Sequence, residues 1–145
     1  MPSRQPPGWR RYKAGASERG RSVIDKVYWY LFSNGVPRIV DFYTRVLGFE
    51  MRNRWPEVGD VVWAWLERGA ATVLAEAAEE DLASANRSGA ALYLEVADAD
   101  ALYDEFLSRG ASIGEAPADT PNATREFELR DPDGNRLIVG ARIKT

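Results

Sequence analysis

Hydrophobic and polar positions recur along this chain in one pattern that is played twice. Val27 to Phe32 is dense in β-branched and aromatic residues and predicts a strand. Asn34-Gly35 marks a turn, and Pro37 sits where the first turn of a helix tolerates proline. Ile39, Phe42, Tyr43, Val46 and Leu47 then follow at the spacing of an amphipathic helix, which Gly48 ends. Glu50 to Trp55, Val61 to Leu66 and Ala71 to Glu76 predict three further strands, with turns at 56–59 and at Gly69. Residues 77–90 are polar and alanine-rich and predict a linker with room for one helical turn.

The pattern then starts again. Ala91 to Val96 predicts a strand. Asp98 is placed to cap a helix, because its carboxylate can accept from the free N–H groups of the first turn. Ala99, Leu102, Tyr103, Phe106 and Leu107 repeat the helical stripe up to Gly110. Short strands are expected near Ser112, at Arg125 to Arg130 and at Asn135 to Ala141. The last two are joined by Asp131-Pro132-Asp133-Gly134, whose Pro and Gly suit a type I turn. The two stripes superpose with an offset of 60, Ile39 on Ala99 and Tyr43 on Tyr103. Strand–helix–three strands therefore occurs twice, in halves of about residues 23–77 and 90–142 within one domain, 23–145. The order is α+β, not the strict βαβα alternation of a doubly wound sheet.

Composition narrows the chemistry. At 45% hydrophobic and 28% charged, the 145 residues fit one ordinary globular domain. There is no cysteine, which excludes disulfides and thiolate metal sites. There is no histidine either, so the commonest metal ligand and general base is missing. The net charge of -3 conceals an asymmetry: residues 1–22 carry about +5 and the rest about -8. That segment is expected to be a flexible basic arm. An acidic domain does not fit a nucleic-acid partner. No apolar run reaches the roughly 18 residues of a membrane span, and the arm lacks the apolar stretch of a secretory signal. A cytoplasmic location is the expectation.

Two segments carry a family resemblance. Phe42-Tyr43-Thr44-Arg45-Val46-Leu47-Gly48-Phe49 resembles the end of the first helix of vicinal-oxygen-chelate proteins, the superfamily of glyoxalases, bleomycin-resistance proteins and extradiol dioxygenases. Glu126-Phe127-Glu128-Leu129-Arg130-Asp131-Pro132-Asp133-Gly134-Asn135 resembles that superfamily's final hairpin, and Leu94 to Asp100 the approach to its second helix. The resemblance implies two βαβββ repeats forming paired U-shaped sheets around a cleft. Metal-using members take four ligands from the first and last strands of each half. Carried over residue by residue, those positions fall on Tyr28, Glu76, Ala91 and Ile138. Alanine and isoleucine cannot bind a metal, so no metal and no cofactor is expected.

Strand alternation then gives a cleft lining. It comprises Tyr28, Tyr30, Phe32, Trp63, Trp65 and Tyr93, the carboxylates Glu76, Glu95, Glu126 and Glu128, and Ile138. Val27, Trp29 and Leu31 should face the helix. Aromatic faces attract cations and carboxylates reject anions. The resemblance is closest to the metal-free bleomycin-resistance branch, which sequesters a drug without altering it and whose clefts are built by two chains. The expected function is metal-independent binding of a cationic or planar aromatic small molecule, such as an antibiotic, by a homodimer with no catalytic residues. Two alternatives stay open: an enzyme related to the glyoxalase lyases and isomerases that works through cleft glutamates, and a non-catalytic regulatory or structural subunit.

Overall fold

The computed structural model describes residues 23–82 and 89–144; the basic arm 1–22 and residues 83–88 of the expected linker lie outside them. Strand β1 (Trp29–Ser33) leads into helix α1 (Val36–Asp41), whose first turn contains Pro37. The helix continues as a π-helical turn, Phe42–Val46, in which Leu47 N–H donates to the Phe42 carbonyl at 3.1 Å. Gly48 then takes φ +75°, a left-handed conformation that glycine adopts at little cost. Strands β2 (Glu50–Trp55), β3 (Trp63–Arg68) and β4 (Ala71–Ala77) complete the first half.

The second half repeats the order. Strand β5 (Ala91–Glu95) precedes helix α2 (Ala99–Ser108). Asp98 caps α2 as expected, its Oδ1 accepting from Ala101 N at 3.0 Å. Strands β6 (Ala118–Asp119), β7 (Thr124–Arg130) and β8 (Arg136–Arg142) follow. Each half forms a four-stranded mixed sheet, ordered β1-β4-β3-β2 and β5-β8-β7-β6. The first strand of each half pairs parallel with the last, and the other pairs are antiparallel. The 131–134 turn closes with Gly134 N–H on the Asp131 carbonyl at 2.9 Å.

Two local expectations fail. Ser112 lies in no strand. Its surroundings contain Gly114 and Pro117, and the short strand forms instead at Ala118–Asp119, where Glu126 and Arg125 offer partners. Val27 does not face the helix: it precedes β1 and is 80% exposed.

One hydrophobic core serves both halves. It joins Leu31, Ala64, Leu66, Val73 and Ala75 of the first sheet and Ile39, Tyr43, Val46 and Leu47 of the α1 segment to Phe106, Phe127, Leu129, Leu137 and Val139 of the second half. Each helix packs on its own sheet, and polar ties cross between the halves. The Tyr43 hydroxyl donates to Asp131 Oδ2 at 2.9 Å. Arg68 holds Glu105 through both guanidinium nitrogens at 2.6 and 2.9 Å, and donates to the Leu47 carbonyl at 2.7 Å. Because strand residues alternate between faces, the face of each sheet opposite this core is left for the candidate site.

Candidate functional site

The expected lining residues do lie on the faces opposite the core, in two groups. On the first sheet Tyr28 and Tyr30 pack with Trp63, Trp65 and Leu74 in a small cluster of their own. Tyr28 meets Trp65 edge-on at 5.2 Å, and Phe32 stacks on Tyr30 at 4.9 Å. The Tyr30 hydroxyl donates to Glu76 Oε1 at 2.6 Å. Burial, and then that hydrogen bond to Glu76, push the Tyr30 phenol well above its ordinary pKa. The Lys26 ammonium lies 5.4 Å from the centre of the Tyr28 ring. Trp63 and Trp65, expected in the cleft lining, are each only 1% exposed and lie buried in this cluster beneath Tyr28 and Tyr30. Phe32, at 52% exposed, is the ring that solvent reaches most.

On the second sheet Tyr93 pairs with Ile138, and Ile138 with Glu128, so the three sit side by side. The Tyr93 ring lies across Gly140. A Cβ at Gly140 would stand 1.9 Å from the Tyr93 hydroxyl oxygen, so this position must be glycine while the ring stays there. The hydroxyl donates to Glu126 Oε2 at 2.7 Å, and Thr124 Oγ1 donates to the same oxygen at 2.8 Å. Thr120 Oγ1 lies 2.7 Å from Thr124 Oγ1, the chain reversing between them. Glu126, Glu128 and Ile138 line a cleft of about 760 Å³ together with Thr120, Arg130 and Arg136. Tyr93 and Glu95 border a second, more apolar hollow of about 650 Å³ between β5 and the Arg68–Ala71 turn of the first half.

This face is less acidic than the alternation implied. Arg136 binds Glu128 and holds its carboxyl below the usual range, and Arg142 binds Glu95 at 3.0 Å. Both ion pairs form across strands, a contact that a list of inward residues does not reveal. The hairpin turn fixes the register Arg130 to Arg136, so the Arg136–Glu128 diagonal was available as a signal. Sequence reasoning also missed Asn53 and Trp55, which pair with Trp65 and Trp63 and so share their face. A register shift between Met51 and Asn53 hides them from simple alternation. Glu67 was missed as well; its Oε1 accepts from Trp65 Nε1 at 3.0 Å.

With the geometry in place, residues 24–139 match the family model described as the Glyoxalase/Bleomycin resistance protein/Dioxygenase superfamily. The chain belongs to this superfamily. No curated protein matches it. Solved structures of similar fold include TioX from Micromonospora sp. ML1, 24% identical with a TM-score of 0.64, covering 82% of this chain and 97% of that one. TnmS3, an antibiotic binding protein from Streptomyces sp. CB03234, is 22% identical with a TM-score of 0.62, covering 84% and 99%. The bleomycin-binding protein of Streptomyces verticillus, solved with copper(II)-bleomycin, is 25% identical with a TM-score of 0.60, covering 86% and 100%.

The superfamily's metal site does not fit these residues. Ala91 and Ile138 offer no donor atom. Glu76 accepts from Tyr30, and burial followed by the nearby Glu67 charge raises the Tyr28 phenol, which disfavours the phenolate a metal needs. Strand register removes one donor more. Tyr30 pairs with Leu74 as Tyr93 pairs with Ile138, so once Tyr28 is matched to Ala91, the counterpart of Ile138 is Leu74, not Glu76. Among the described residues no three carboxylates converge to hold an ion.

Proposed function

We propose that this protein binds a cationic, planar organic molecule without a metal and without transforming it, as a cytoplasmic homodimer. The observation that carries the reading is the first sheet's aromatic face, where the chain's own Lys26 ammonium lies over the Tyr28 ring beside Glu67. A face that holds a lysine in this way has the chemistry to hold a ligand cation. The donor-poor metal positions and the antibiotic-binding proteins among the structural neighbours point the same way. The division of the lining between two sheets supports the dimer, because in the bleomycin-resistance branch that the chain resembles the cleft is built by two chains. Among the described residues no helix is long and apolar enough to cross a membrane.

A fluorescence titration tests this. Trp55, Trp63 and Trp65 all lie on the aromatic face, and a bound planar cation such as berberine should quench them saturably, with EDTA making no difference. A planar anion of similar size, such as anilinonaphthalene sulfonate, should not compete. Absence of saturable quenching by any planar cation would overturn the reading, and stoichiometric iron, nickel, zinc or manganese in purified protein would overturn its metal-free part. Sedimentation equilibrium should return twice the chain mass of 16.2 kDa.

A further inference from the structure

The carboxylates on the second sheet are not equivalent. Glu95 and Glu128 are neutralised by Arg142 and Arg136. Glu126 has no lysine or arginine partner among the described residues. It is held by hydroxyls instead: Tyr93 Oη and Thr124 Oγ1 both donate to its Oε2, at 2.7 and 2.8 Å, and Thr120 backs Thr124. Two donors on one oxygen fix the carboxylate plane and leave Oε1 with its lone pairs unused. The group lines the 760 Å³ cleft. Gly140 belongs to the same device, because only a residue without Cβ lets the Tyr93 ring cross the strand to reach Glu126.

We propose that Glu126 is the anchor for a primary ammonium group on the ligand, with Tyr93 and Thr124 as positioning residues. This inference rests on the ligand-binding reading above and narrows it. An oriented, uncompensated carboxylate in a cleft is complemented by a cation that also donates N–H, because a charge-assisted hydrogen bond is stronger than a charge alone. The chemistry of β7 sets the polarity of binding. Thr124, Glu126, Glu128 and Arg130 follow one another along this face, so the ammonium belongs at the Thr124 end and is repelled from the Arg130 end. Ile138 in the cleft lining, with the half-exposed Tyr93 ring paired beside it on β5, gives the flat body of the ligand an apolar surface near the charge.

The test uses the full-length protein and a matched probe pair: dansylcadaverine, a naphthalene fluorophore with a primary ammonium tail, and its N-acetyl derivative. The native protein should bind the amine about ten- to a hundredfold more tightly than the acetylated form. Glu126→Gln, near-isosteric and still able to accept from Tyr93, should bring the two affinities together. Tyr93→Phe should weaken amine binding about three- to tenfold and leave the N-acetyl form unchanged, whereas a purely structural role would weaken both alike. Thr124→Val should do the same and serves if either other variant unfolds. Equal binding of the two probes by native protein, or a preference that survives Glu126→Gln, would sink the inference while leaving ligand binding intact. Failure of both probes to bind would count against the ligand-binding reading as well.

Discussion

Asp131 is the residue whose surroundings ask most of it. Its carboxylate is buried, yet accepts from Tyr43 Oη at 2.9 Å, Asn135 Nδ2 at 2.8 Å, Asp133 N at 2.9 Å and Asn135 N at 3.0 Å. Burial outweighs these donors and raises its pKa above the ordinary 3.8. A carboxyl with a raised folded-state pKa adds stability below its unfolded value, and that contribution is lost as pH climbs through the folded value. The stability difference between native protein and Asp131→Asn should therefore shrink as pH rises from about 3.5 to 7 in urea unfolding. The opposite trend would show that the donors, not burial, govern this group. Tyr43→Phe removes one donor and should cost about 1–2 kcal/mol by the same method. From sequence, Asp131 was legible only as the first residue of a turn. Its tie to Tyr43 spans 88 positions and depends on how the halves dock, which no local pattern encodes.

At the scale of elements, the helical stripes, the glycine stops and seven of the eight strands were legible within a residue or two, because burial of one face imposes a period on the letters. The π-helical turn at Phe42–Val46 was not, since a stripe spaced for an α-helix accommodates one widened turn without changing its apolar positions. Also illegible was the Arg68–Glu105 tie between the β3–β4 hairpin and α2. Gly48 makes room for it: a Cβ there would stand 2.7 Å from Arg68 Nη1. Arg68 and Glu105 side chains are about a third exposed, so solvent weakens the pair. A double-mutant cycle with Arg68→Ala and Glu105→Ala should give a coupling energy of about 0.5–2 kcal/mol. A value near zero would mean that this ion pair adds nothing to the docking of the halves.

For the whole molecule, the decisive fact is that two repeats share one core. Segments 23–77 and 90–142 expressed separately should each lack a cooperative thermal transition by circular dichroism, because each would expose the apolar face that the other covers. A sharp transition in either fragment would show that the halves are independent. The candidate site was legible as a set of faces but not as a surface. Alternation anticipated that Tyr30 and Phe32 share one face, and Tyr93 and Glu126 another, while the burial of Trp63 and Trp65 and the arginines on Glu95 and Glu128 came from neighbouring strands.

The same alternation has a consequence for how such a protein changes over time. On β7, Phe127 and Leu129 belong to the core, while Glu126 and Glu128, which alternate with them, line the cleft. Substitutions that alter what is bound and substitutions that alter whether the chain folds thus occupy interleaved letters of the same strand. A lineage can rewrite the even-numbered letters of β7 to follow a new small molecule while the odd-numbered ones stay fixed, so ligand preference is free to diverge faster than the scaffold that carries it.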